Sequence, residues 1–224
     1  YARHCLGPLV RLSERSAPDA GLSPMARGVI VQLVEHLGCL ARAPLATQVA
    51  ALSKTDRSEL AKAGVHIGSI HIYLKALLRP EATRLRLALW AVHRRLTGVP
   101  QLPPPGRVSI AVDTQAPHGW YQVAGYWPLG EQAVRVDMVE RLAHALHSHR
   151  QGRTPFSADA TWAATLGLTS ASFARLMRQL GYKPRSLDGK PAYQWQGRKP
   201  TTERGPGADK QHSPFAVLEH MRRR

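Results

Sequence analysis

Apolar residues recur at helical spacing through much of the first hundred positions and again beyond residue 136, with short alternating stretches between. Ser23 caps a helix with Pro24 at its first position, and the helix runs to Gly38 with Val29, Ile30, Leu33, Val34 and Leu37 on one buried face. Ala43-Pro44 opens a short helix through Leu52. Ser53-Lys-Thr-Asp56 restarts a helix that ends near Gly64. Residues 65–74 alternate in part around Gly68, as a bent strand or short hairpin. Pro80 begins a helix to Leu96, closed by Gly98, with Leu85, Leu89 and Val92 facing inward. Residues 1–22 lack a clear period, and 16–21 read as a loop.

The stretch Gln101-Leu-Pro-Pro-Pro-Gly106 is a stiff connector and the sharpest boundary in the chain. Val108 to Val112 reads as a strand, and Trp120 to Trp127, broken by Gly125, as its partner. Trp120, Tyr121, Tyr126 and Trp127 are expected to close a small core rather than to stack on bases. Asp137-Met-Val-Glu140 has the form of a capping box and opens a helix with Val139, Leu142, Ala143 and Leu146 on one face. A short helix is expected from Ser157 to Gly167, and a second from Thr169 or Ser170 to Gly181. In that second helix Phe173, Leu176, Met177 and Leu180 form one apolar stripe. Tyr182–Arg185 and Ala192–Gln196 bracket Asp188-Gly189, a strong hairpin signal.

These elements predict a mainly α protein: a helical domain over residues 1–100, a Pro-rich linker and small β element over 101–133, and a winged-helix-like domain over 134–198. Three helices followed by a basic hairpin is the order of a winged helix; a small helical domain that only packs or binds protein is the other reading. Residues 199–224 are rich in Gly, Pro, Lys and Arg and read as a flexible basic tail, with Phe215–Leu218 as a possible anchor turn.

Charge changes the picture most. The chain of 224 residues carries 31 Lys and Arg against 15 Asp and Glu, a formal net charge of +16. Residues 1–100 hold 14 basic and 6 acidic side chains, 101–150 hold 4 and 4, and 151–224 hold 13 and 5. Such a field attracts polyanions and makes binding salt-dependent. Nucleic acid, RNA as readily as DNA and single strands above all, is the favoured partner, and a membrane is not. Ser172, Arg175, Arg178 and Gln179 are predicted on the outward face of the 170–180 helix, with Lys183, Arg185 and Lys190 on the hairpin, as the first phosphate or base contacts. Arg84, Arg94 and Arg95 form a second group on the 80–96 helix.

Candidate catalytic chemistry is sparse. The chain has no Gly-x-x-x-x-Gly-Lys-Ser/Thr phosphate loop, no Gly-x-Ser-x-Gly, no His-Glu-x-x-His and no Cys-x-x-Cys. His144 and His147 could share a helix face with Glu140, but three ligands are not assured and histidines near a helix C-terminus already suit its dipole. No metal and no cofactor are assigned to this chain, and by itself it does not read as an enzyme. Two cysteines, Cys5 and Cys39, exclude a disulfide framework, and a cytoplasmic location is the expectation. A start at Tyr1 points to a piece of a longer protein.

Several short runs carry a family likeness: Gly21-Leu-Ser-Pro-Met-Ala-Arg-Gly28, Ala63-Gly-Val65 with Gly68, Tyr73-Leu-Lys-Ala-Leu-Leu-Arg-Pro80, Arg84-Leu-Arg86, Leu89-Trp90 and Gly125-Tyr126. Over residues 20–185 the chain resembles the region that follows the motor lobes in alphaproteobacterial DExH-box helicases, relatives of the mitochondrial degradosome RNA helicase. It departs from that pattern at Lys75, where the family version has proline. The resemblance implies a parent protein that unwinds RNA or DNA with ATP and Mg bound in motor lobes absent here. This chain would then be an accessory module that holds a strand near those lobes or docks a partner such as a nuclease. A protein-interaction scaffold and a sequence-specific DNA-binding regulator are the alternative readings, though no dimer seam accompanies the latter.

Overall fold

The computed structural model describes residues 2–19, 21–97, 101–157, 160–187 and 190–197. Its secondary structure is mixed, 51% helix and 18% strand in three small sheets, which corrects the mainly α expectation. The strands are short enough that periodicity alone under-reports them. Gln132–Arg135, for example, gives no alternating signal yet forms the centre of a sheet.

The first section opens on helix α1 (Ala2–Glu14), which the sequence does not announce because Gly7 and Pro8 interrupt it. Its Cys5, Leu9 and Leu12, at i, i+4 and i+7, are buried in the first core. Helix α2 (Pro24–Glu35) follows, with Ser23 accepting the Ala26 N–H as expected. Then come strand β1 (Cys39–Ala41), helices α3 (Ala46–Ala51) and α4 (Lys54–Lys62), and strands β2 (Val65–Ile67) and β3 (His71–Leu74). Helix α4 carries a complete capping box between Ser53 and Asp56, and Gly64 takes φ 85° before β2. The strands pair antiparallel in the order β1-β3-β2. The hairpin reading of residues 65–74 is the one realised.

Helix α5 (Pro80–His93) differs from expectation in both end and face. It stops at His93, and Arg95 takes a left-handed φ of 54° while the Leu96 N–H bonds back to the Ala91 carbonyl. Gly98, the expected stop, lies outside the described residues. The buried face is Ala82, Thr83, Arg86, Leu87, Trp90 and Ala91, whereas Leu89 and Val92 are exposed. The large aromatic ring of Trp90 packs with Trp120 and Val123 in a separate core, and this sets the rotation of the helix.

Between the helical sections lies a sheet of β4 (Ser109–Ala111), β5 (Tyr126–Pro128) and β6 (Gln132–Arg135), in the order β4-β6-β5. The predicted strand over 120–127 is instead a short helix, α6 (Trp120–Ala124), that ends at Gly125 (φ 80°) and leads into β5. Trp120 and Tyr126 are buried in the small core, as their aromatic clustering predicts. The boundary drawn at residue 133 divides β6, and Arg135 runs straight into α7 (Val136–His149).

The last section has α7, β7 (Phe156–Ser157), α8 (Ala160–Leu166), α9 (Ser170–Gln179), β8 (Tyr182–Leu187) and β9 (Lys190–Trp195), paired in the order β7-β9-β8. Ser157 therefore belongs to a strand and not to the start of a helix. This succession of helix, strand, two helices and two strands, with the third strand central, repeats that of α2 to β3. The Asp188-Gly189 turn, the tail and Phe215–Leu218 lie outside the described residues. Among the described residues no helix is long and apolar enough to cross a membrane.

Candidate nucleic-acid interface

Helix α9 is placed from both sides. Thr169 caps it by accepting the Ser172 N–H at 3.3 Å, and Gly181 (φ 90°) ends it in the left-handed conformation that glycine adopts without Cβ strain. Phe173, Leu176, Met177 and Leu180 are buried with Leu142, Leu146 and Leu166 beneath it. The turn before α9 is fastened to the central sheet by one side chain. Gln132 of β6 accepts the Thr169 N–H at 2.8 Å and donates to the Gly167 carbonyl at 2.9 Å. Because an amide supplies both a donor and an acceptor, Gln132 fixes both strands of the turn at once.

With the apolar face buried, α9 turns Ala171, Arg175, Arg178 and Gln179 outward. Ser172 is the exception among the predicted contacts. It is only 3% exposed, and its N–H and hydroxyl face the Thr169 cap, so it does not belong to the outer face. Arg175 lies against the turn between β5 and β6, where a Cβ on Gly130 would come within 2.8 Å of its guanidinium. Glycine at 130, with φ 93°, provides the space that lets Arg175 approach there.

The two long strands carry the rest. Pairing runs from Tyr182 opposite Trp195 to Leu187 opposite Lys190. Tyr182 is buried, while Lys183 to Leu187 are exposed. Arg185 donates from Nε to Gln194 Oε1 at 2.9 Å, and Gln194 in turn donates to the Arg153 carbonyl at 3.0 Å. Arg178 lies near Tyr193, whose pKa is raised by burial and partly lowered again by that positive charge. Arg150 stacks 4.0 Å from the centre of the Trp195 ring. Lys190 starts β9, but its side chain lies outside the described ones. From residue 160 to 187 the sequence contains no Asp or Glu, and none of the ion pairs among the described residues engages Arg175, Arg178, Lys183 or Arg185. Among the described residues the face is thus positive, with no ion pair to a carboxylate.

The second predicted group stands elsewhere. Arg84, Arg94 and Arg95 are all exposed on or just beyond α5. His144 and His147 are exposed on α7, but Glu140 is not beside them as a ligand. The expected capping box at Asp137 is absent too: Asp137 instead takes two hydrogen bonds from Arg135, at 2.7 and 2.9 Å. Glu140 points into the protein and accepts the backbone N–H groups of Ser69, Ile70 and His71, the latter two at 2.8 Å. His71 Nδ1 lies 3.5 Å from the same carboxylate. Burial alone would raise the Glu140 pKa, but His71 and the three N–H donors outweigh it and hold it below the usual carboxylate value. Nothing in the local pattern around residue 140 signals this joint, because its partners lie about seventy positions away. Among the described residues no cluster of His, Cys, Asp and Glu could hold a metal ion.

No protein-family model matches the chain, and neither a curated protein nor a solved structure matches it.

Proposed function

We propose that the unit from Val136 to Trp195 is a winged helix that binds nucleic acid without strong sequence preference, and that the chain is an accessory module of an ATP-dependent DExH-box helicase. The observation that carries the binding reading is the basic surface of α9 and β8: Arg175, Arg178, Lys183 and Arg185 on adjoining elements, with no ion pair to any of them among the described residues and no carboxylate between residues 160 and 187. The element order and the sheet order β7-β9-β8 support the winged-helix reading. In that arrangement α9 offers its outer face to the duplex or strand, and the β8–β9 hairpin reaches along the phosphates. The helicase assignment rests on the resemblance of residues 20–185 to the region following the motor lobes. The ATP site and strand-separating motifs belong to those lobes, and this chain's part is to hold a strand near them.

Fluorescence anisotropy with labelled single-stranded RNA, single-stranded DNA and duplex, each over a salt series, tests the reading. Arg175→Ala/Arg178→Ala should weaken binding to all sequences alike and reduce the logarithmic salt slope by about 1.4–1.8 units, as for two lost phosphate contacts. No binding at moderate salt to any of the three would overturn it. A large preference for one duplex sequence would replace it with the sequence-specific regulator.

A further inference from the structure

Helix α5 has two faces of different character. The inner face buries Leu87 and Trp90 together with Arg86, a guanidinium that is 0% exposed and donates from Nη1 to the Leu37 carbonyl at 2.9 Å. The outer face carries Leu85, Ala88, Leu89 and Val92, which fall at i, i+3, i+4 and i+7. Leu85 is half-buried against α1, but Leu89 is 44% exposed and Val92 is 76% exposed. Of the apolar stripe expected to face the core, Leu89 and Val92 face solvent instead. Exposed Arg84 flanks it, and exposed His93, Arg94 and Arg95 gather at its C-terminal end. None of the ion pairs among the described residues engages those arginines.

We infer that the outer face of α5 docks an acidic amphipathic helix of a partner protein. The stripe supplies the apolar spacing that such a helix reads with its own leucines, and the arginine rim supplies the complementary charge for glutamates on its flanks. A phosphodiester strand would satisfy the arginines but leave Leu89 and Val92 with nothing to pack against. A second copy of this chain would satisfy the leucines but bring two arginine rims together, on a protein whose net charge is already +16. An acidic amphipathic helix satisfies both. This surface is separate from α9, so its test does not depend on nucleic-acid binding.

The experiment uses the whole chain, labelled at Leu and Val methyls, at physiological ionic strength so that diffuse attraction to a basic protein is screened. The probe is a synthetic helical peptide with leucines at i, i+3, i+4 and i+7 and glutamates on both flanks. A peptide of the same composition in scrambled order is the control. The expected result is shifts centred on the methyls of Leu85, Leu89 and Val92, seen with the ordered peptide only. Leu89→Asp/Val92→Asp should weaken binding at least about tenfold, as for loss of the central anchors of an interface. Arg94→Glu/Arg95→Glu should also weaken it and should favour a peptide with lysine in place of glutamate. Since Val92 is the most exposed of these side chains, Val92→Ser serves as a milder variant that leaves folding intact. Equal binding of the scrambled peptide, or shifts spread over α9 and the hairpin, would overturn the inference. So would self-association that Val92→Ser abolishes, or anionic phosphatidylserine vesicles bound through Leu89 and Val92 when the peptide is not.

Discussion

The two units that share an element order, α2 to β3 and α7 to β9, use it in opposite directions. Their corresponding helices start alike, with Ser53 and Thr169 as extended N-caps at φ −66°, and end alike, at glycines with φ 85° and 90°. After that they part. Helix α4 has Asp56 in its capping box, and its Glu59 bridges Lys62 at 2.8 Å and Arg15, outside the helix, at 2.7 Å, so carboxylates stand among its cations. Helix α9 has arginines and no acid. The central strand β3 is buried at every position, whereas among the described side chains of its counterpart β9 only Ala192 is buried; the edge strand β8 is exposed at every position after Tyr182, whereas its counterpart β2 exposes only His66. One arrangement of helices and strands is thus used once as a packing block and once as a surface. What separates the two is where the carboxylates sit, not the fold.

The contrast breaks most severely at Glu140, where the first unit's hairpin is held by the second unit's first helix. Glu140→Ala would leave the N–H groups of Ser69, Ile70 and His71 without their acceptor in a buried setting. A loss of about 3–5 kcal/mol is expected, read as a large fall in the thermal midpoint. The more exposed Arg135–Asp137 pair gives the comparison: Asp137→Ala should cost under about 1 kcal/mol. The pH dependence has a definite sign. Because the folded Glu140 pKa is depressed, its contribution is complete above the unfolded carboxylate value and is lost as pH falls through the lower folded value. Wild type and Glu140→Gln should therefore draw closer in stability as acid is added. A gap that widens instead would show that the carboxylate is not the fastening group.

Next in size is the difference in charge. Arg175→Ala/Arg178→Ala and Lys54→Ala/Lys62→Ala each remove two exposed cations, so the pairs are matched in net charge. If binding followed net charge alone, both would lower the salt slope equally. If α9 is the contact surface, only the first pair lowers it, and the second leaves slope and affinity within about twofold of wild type. Equal effects would remove the distinction between the two units.

Local signals in the sequence were enough for helices with ordinary caps and an apolar stripe. Ser23, Ser53, Thr169 and Gly181 act as their residue types predict, and the stripe of α9 is buried as read. Signals that depend on distant partners were not legible. The stripe of Leu85, Leu89 and Val92 is as regular as that of α9, yet Trp90 finds Trp120 and rotates the helix so that Arg86 goes inside. Periodicity names two faces of a helix and does not say which one the rest of the chain covers. For the same reason Glu140 read as a cap, since its true partners, Ser69 to His71, are distant in sequence. Ser172 read as an outward residue because it stands beside Arg175 in a polar run, but at 3% exposure it belongs to the Thr169 cap. The repeated element order is not legible in the sequence because β1, β2, β3 and β7 span only two to four residues and leave almost no pattern.

The smallest effect tests whether the two caps are as alike as their dihedral angles. Ser53 accepts the Asp56 N–H at 3.0 Å and donates to its carboxylate at 2.8 Å, and that carboxylate also accepts the Ser23 and Ser53 N–H groups at 3.2 Å. Among the described residues the Thr169 hydroxyl has only two long bonds, 3.3 Å from the Ser172 N–H and 3.2 Å to the Ser172 hydroxyl. Ser53→Ala should therefore cost about 1.5–2 kcal/mol and Thr169→Ala about 0.5–1 kcal/mol, both within the usual range for caps. Acid should draw the two costs together. Hydrogen bonding from Ser53 above all, with the Ser23 N–H adding to it, lowers the Asp56 pKa, so this support is complete above the unfolded value near 3.8 and fades as pH falls below it. The cost of Ser53→Ala should shrink in that range, whereas the cost of Thr169→Ala, with no carboxylate in its cap, should not change. Equal costs at neutral pH would mean that the reciprocal bonds of the capping box add nothing to the first unit. The inward use of α4 would then rest on Glu59 alone.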